Sequence, residues 1–101
     1  MLYKINISIF FISTVNLSAK LDGKVVIEES SMTFNIGESE DPKITSGVEA
    51  AVKKMNSSEK SRFTMSPKYC YGSEGNKDLG IPPNASLVYE IELTSFEKVG
   101  L

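Results

Sequence analysis

Apolar and polar residues alternate along most of this chain, and strict alternation is the signature of half-buried strands. Ile5, Ile7, Ile9 and Phe11 recur at every second position of residues 5–12, and Val15, Leu17, Ala19 and Leu21 alternate with Asn16, Ser18 and Lys20. Asp22-Gly23 is a hairpin dipeptide, so this run should fold back into residues 24–28. Met32, Phe34 and Ile36 alternate with Thr33 and Asn35, and Gly37 then opens an acidic loop over residues 38–41. Residues 60–65 set Phe63 and Met65 against Lys60, Arg62 and Thr64. The clearest strand comes last, where Leu87, Tyr89, Ile91 and Leu93 alternate with Val88, Glu90, Glu92 and Thr94.

Helical spacing occurs once, in Ile44, Val48, Ala51, Val52 and Met55, which recur at intervals of three and four and form a single apolar stripe. Ser46 and Glu49 have the capping-box spacing for its start. The expected class is therefore α+β, with five to six antiparallel strands in a twisted sheet wrapped around one short amphipathic helix. At 101 residues, 41% of them apolar, the chain fits one domain over residues 1–101, built on one core without disulfides.

Composition narrows the chemistry. The lone Cys70 can close no bridge within the chain, which points to a reducing compartment or to indifference to redox state, and a cytoplasmic setting is expected. Residues 1–19 faintly imitate a secretory signal, with an apolar run and a small residue at Ala19. Asn6 and Ser8 interrupt that run, and the alternation favours a strand. The run is also far shorter than the roughly 20 apolar residues of a membrane span. With no histidine, Ser-His and Cys-His catalysis are excluded. Neither a metal nor a cofactor is expected, because the carboxylates lack calcium-loop spacing. A net charge of −2 offers no footprint for nucleic acid.

Residues 66–84 carry no regular pattern, and an irregular stretch of that length inside a compact domain usually holds function. It contains Ser66-Pro67-Lys68-Tyr69-Cys70-Tyr71-Gly72, then Gly75, then Ile81-Pro82-Pro83-Asn84-Ala85. This ordered set, at its spacing to the last strand, resembles the signature of the tacrolimus-binding (FKBP) family of prolyl isomerases. The resemblance is strongest over residues 15–98. It implies cis/trans isomerisation of X-Pro bonds in proline-containing protein or peptide segments, with tacrolimus-like macrolides as weak ligands. No covalent step is needed. The twisted amide of the transition state has lost resonance and is less polar than the planar forms, so a dry apolar pocket favours it.

Carried over by position, the resemblance makes Tyr71 the ligand-bonding hydroxyl, Ile81 an apolar wall and Tyr89 an aromatic of the last strand. Ile44 and Thr45 match the segment whose backbone bonds substrate, although residues 38–43 carry a three-residue insertion just before it. Val48 stands where the family has the tryptophan that floors the proline pocket. Val26 and Met32 replace aromatics, Leu17 a tyrosine, Ile27 an aspartate and Gly80 a branched apolar residue. An indole supplies a large flat apolar base that valine does not, so activity should be weak. The pattern is similar to the second, degenerate isomerase-like domain of large immunophilins. Those proteins bind a chaperone through a helical-repeat segment that this sequence does not contain. The expected site is an apolar cavity shared by Tyr71, Ile81, Val48 and Tyr89, serving either weak catalysis or the non-catalytic holding of a protein partner.

Overall fold

The computed structural model describes residues 9–100. Its elements are β1 (Ile9–Leu21), β2 (Lys24–Asn35), α1 (Ser46–Lys54), β3 (Lys60–Met65), a short 3-10 turn (Pro67–Tyr69) and β4 (Leu87–Gly100). The strands form one antiparallel sheet in the order β2-β1-β4-β3, which leaves β2 and β3 as its edges. Asp22 and Gly23 turn β1 into β2 with positive φ values of 50° and 82°, the left-handed pair that a tight hairpin requires.

The described residues thus hold four strands rather than five or six. The two alternating runs before the hairpin join, because Ser13 and Thr14 continue the ladder between them. Ser13 is fully buried, and Thr14 meets Thr33 across the strands, hydroxyl to hydroxyl at 3.0 Å. Residues 24–28 and 32–36 also join, through a bulge at which Asn16 faces both Ser30 and Ser31. Ser31 takes φ 52° there, and its N–H donates to Asn16 Oδ1 at 2.9 Å. A bulge interrupts alternation without ending a strand. Residues 5–8 of the first expected strand lie outside the described residues.

Helix α1 packs on one face of the sheet. Its Val48, Ala51 and Val52 join Val15, Leu17, Ala19, Ile27, Phe34, Leu87, Tyr89, Ile91 and Leu93 in a single apolar cluster. Complete burial of side chains of this size is worth about 1.5–3 kcal/mol each, so the α1–sheet interface holds the fold together. The helix begins one residue earlier than the capping-box reading expects. Thr45 is the N-cap, its hydroxyl accepting from the Val48 amide at 3.4 Å. Glu49 turns away to accept from the Gly37 amide. Ile44 and Met55 lie outside the helix but remain buried against it.

Candidate functional site

The irregular stretch between β3 and β4 is stiffened by its own backbone. Gly72 N–H donates to Pro67 O at 2.8 Å, Gly75 N–H to Tyr71 O at 3.0 Å and Asn84 N–H to Gly72 O at 2.8 Å. Asn76 and Ile81 exchange a reciprocal pair of bonds at 2.8 and 2.9 Å. Gly75 has φ 66°, and a Cβ there would lie 2.5 Å from Ile81 O, so only glycine lets the two limbs approach this closely. The result is a folded-back loop that presses Ile81 onto the core and sets Tyr71 beside it.

This loop and the start of α1 bring the expected residues together. Tyr89 and Val48 are 0% exposed and Ile81 3%, while Ile44 and Thr45 are buried and Tyr71 is half-buried against the same cluster. Val26 and Met32 are partly buried at its β2 side, and Leu17 and Ile27 lie within it. Gly80 is exposed at the loop surface. Val48, Ile81 and Tyr89 pack within the core cluster with Tyr71 partly buried against it, and none of the hollows described has them in its walls. The largest hollow described, about 530 Å³, lies on the other flank of α1, against β3.

Residues 38–43 hold the Tyr71 side of this cluster, and their role was invisible in the sequence. The Tyr71 hydroxyl donates to the Pro42 carbonyl at 2.7 Å. The Ile44 amide is taken by Asp41 O at 2.9 Å, and the Lys43 amide by Asp41 Oδ1 at 2.9 Å. Lys43 Nζ pairs with Glu29 of β2 at 3.4 Å and with Asp41 at 3.6 Å. With Glu49 bound to the Gly37 amide at the other end, this segment is tied to β2, to α1 and to Tyr71. A backbone carbonyl such as that of Pro42 carries no residue-type signal; the added loop length was the one clue.

Burial governs the phenols. Loss of solvent pushes the Tyr71 hydroxyl up to about 12, with the nearby Tyr89 hydroxyl partly opposing the rise and Cys70 and Asp41 adding to it. Tyr89 is pushed up further, chiefly by burial and then by Tyr71 and Cys70. Its hydroxyl is buried without a hydrogen-bond partner among the described residues, although Tyr71 and Thr45 lie nearby. Burial likewise raises the Cys70 thiol, which disfavours the reactive thiolate. Both phenols are neutral donors at ordinary pH. The site therefore offers a dry apolar cluster and two hydroxyls, with no group fit for covalent chemistry.

Known proteins share the fold of this chain and its sequence profile. Residues 11–94 match the profile of the FKBP-type peptidyl-prolyl cis-trans isomerase domain. The chain is 41% identical over 73 residues to the bovine peptidyl-prolyl cis-trans isomerase FKBP4, spanning 72% of this chain and 16% of that protein. It is 37% identical over 83 residues to Drosophila melanogaster FK506-binding protein 59, spanning 82% of this chain and 19% of that one. Among solved structures, that of the three FKBP domains of wheat FKBP73 matches with a TM-score of 0.77 at 32% identity, over 85% of this chain and 36% of that one. A Pseudomonas syringae peptidyl-prolyl cis-trans isomerase gives 0.75 at 29% identity, covering 86% of this chain and 62% of that one. The chain spans less than a fifth of the length of these curated relatives. With a profile match over most of its length and this shared fold, the chain belongs to the FKBP-type peptidyl-prolyl cis-trans isomerase family.

Proposed function

We propose that this domain is a weak prolyl isomerase acting on X-Pro segments, with a pocket that is closed at rest and must open to admit a proline ring. The observation that carries this reading is the bond from the Tyr71 hydroxyl to the chain's own Pro42 carbonyl, at 2.7 Å. The hydroxyl that the family offers to its ligand is spent within the molecule. Opening costs that bond, about 1 kcal/mol net, together with the unpacking of apolar side chains around Val48. Whatever fraction of molecules is open scales the apparent affinity down in proportion. Once open, the site retains the Tyr71 and Tyr89 hydroxyls, the wall of Ile81 and the Thr45 amide, for which no acceptor stands among the described residues. These suffice to hold a carbonyl in a water-poor setting while the amide twists.

The deciding measurement is the rate of a proline-limited refolding reaction with this domain at increasing concentration. A small acceleration, proportional to concentration and competed by tacrolimus, supports the reading. No acceleration at any concentration overturns it. The complete burial of Val48 and Tyr89 favours one second reading, a non-catalytic module that binds a protein through its outer surface. The single thiol fits a cytoplasmic setting, and any chaperone association is assigned to segments outside this sequence.

A further inference from the structure

Gly47 lies buried inside α1, where glycine is the poorest residue after proline. It is not among the glycines whose φ is positive, so backbone conformation does not require it there. Space does. A Cβ at this position would lie 2.7 Å from the Tyr69 carbonyl oxygen, 3.1 Å from Tyr69 Cβ and 2.6 Å from Met65 Sδ. Non-bonded heavy atoms settle at about 3.5–4.0 Å, so α1 meets the 3-10 turn more closely than any residue with a side chain permits. The flexible Met65 thioether can swing aside. Tyr69 O is main chain, and it retreats only if the turn retreats.

The turn carries Tyr71 with it. Tyr69 N–H donates to Ser66 O at 3.0 Å, while the N–H groups of Cys70 and Gly72 both donate to Pro67 O, at 3.0 and 2.8 Å. These bonds make residues 66–72 one stiff unit. Gly47 is two residues from Thr45, and Tyr69 is two residues from Tyr71. The contact between α1 and the turn therefore joins the two short segments that bear the Thr45 amide and the Tyr71 hydroxyl. The Tyr89 hydroxyl, fixed on β4, lies near both.

We propose that Gly47 is a positioning residue: its missing side chain sets the spacing between the Thr45 amide and the Tyr71 hydroxyl, and so the separation of substrate groups that the site holds at once. The bearing on substrate rests on the isomerase reading, whereas the placing of Tyr71 stands without it. A methyl group on residue 47 would drive Tyr69 O from 2.7 Å toward an ordinary separation of about 3.5 Å. A misplacement of about 1 Å can cost roughly 100-fold in rate.

Gly47→Ala in the whole chain tests this, because it favours the helix while displacing the turn. Cys70, the one thiol of the chain, rides half-buried beside that turn, and its alkylation by iodoacetamide should quicken by about threefold or more as burial is relieved. The Tyr71 phenol, held up at about 12, should titrate closer to the ordinary 10.0, read as the difference in absorbance with and without Tyr71→Phe. Catalysis of proline-limited refolding should fall by about tenfold or more, since misplacement outweighs the release of Pro42. Ala50→Gly weakens the same helix at an exposed position without crowding the turn, and should leave all three readings as they are. The native chain supplies a reading that needs no variant, an Overhauser contact between the Gly47 α-protons and the Tyr69 β-protons. The proposal is overturned by Cys70 and Tyr71 unmoved in Gly47→Ala, by the same response to Ala50→Gly, by refolding catalysis that rises, by reversal on adding Met65→Ala, or by a missing Overhauser contact. A native chain without refolding catalysis overturns the isomerase reading instead, and the readings of Cys70 and Tyr71 then decide the placing of the turn alone.

Discussion

At the scale of single residues the two phenols should behave oppositely when their hydroxyls are removed. Tyr89 buries an O–H that finds no hydrogen-bond partner among the described residues, and a buried unpaired polar group costs about 1–3 kcal/mol. Tyr89→Phe should therefore raise the urea midpoint at neutral pH. Tyr71→Phe should lower it slightly, by less than about 1 kcal/mol, since Pro42 is exposed and its freed carbonyl can turn to water. Tyr71 also gives the chain a testable alkaline limit. Its folded value of about 12 lies above the ordinary 10.0, so the folded state holds the proton more tightly than the unfolded chain. The associated stability is complete below pH 10.0 and is lost as pH rises toward about 12, where both forms ionise. Urea midpoints across that window should fall for the native chain and fall less for Tyr71→Phe. A flat profile in the native chain would show that the phenol is as wet as in the unfolded state.

At the scale of elements, the start of α1 is where alternative readings of the sequence can be separated by mutation. Ser46 and Glu49 have the spacing of a capping box, but the cap is Thr45, and Glu49 fastens the loop at Gly37 instead. Thr45→Ala should cost about 1 kcal/mol, typical of a lost N-cap, and Ser46→Ala under about 0.5 kcal/mol, typical of an exposed site. Equal losses measured by chemical denaturation would return the cap to Ser46. The helix stripe and all the alternating runs of residues 9–94 were readable because burial of one face imposes a fixed period. The strand count was not. Whether Ser13-Thr14 breaks or continues a strand depends on Thr33 and Phe34 across the ladder, and the bulge at Ser31 depends on the Asn16 side chain. Long-range partners decide such joints, and local periodicity cannot encode them. The loop of Tyr71 and Ile81 was legible through its Gly and Pro positions, whereas the Pro42 latch was not, because its acceptor is main chain.

At the scale of the molecule, the proposed closure draws on Val48 from one side and on residues 38–43 from the other, and their coupling is measurable. Val48, Tyr89, Ile81 and Leu87 pack together at near-complete burial. The segment 38–43 then supplies Pro42 O to hold Tyr71 over them. Restoring the floor alone, with Val48→Trp, inserts an indole where no space remains and should destabilise the fold by about 1–3 kcal/mol. Shortening residues 38–43 by three residues should free Tyr71 yet leave the floor without an aromatic base. If closure is shared in this way, each change alone raises proline-limited refolding catalysis little. The two together should raise it by more than the product of the single effects, because residues lining one cavity are energetically coupled. The same pair should recover part of the stability lost by Val48→Trp, since the freed loop lets the walls move outward. Strictly multiplicative rates with additive stabilities would mean that floor and latch act independently.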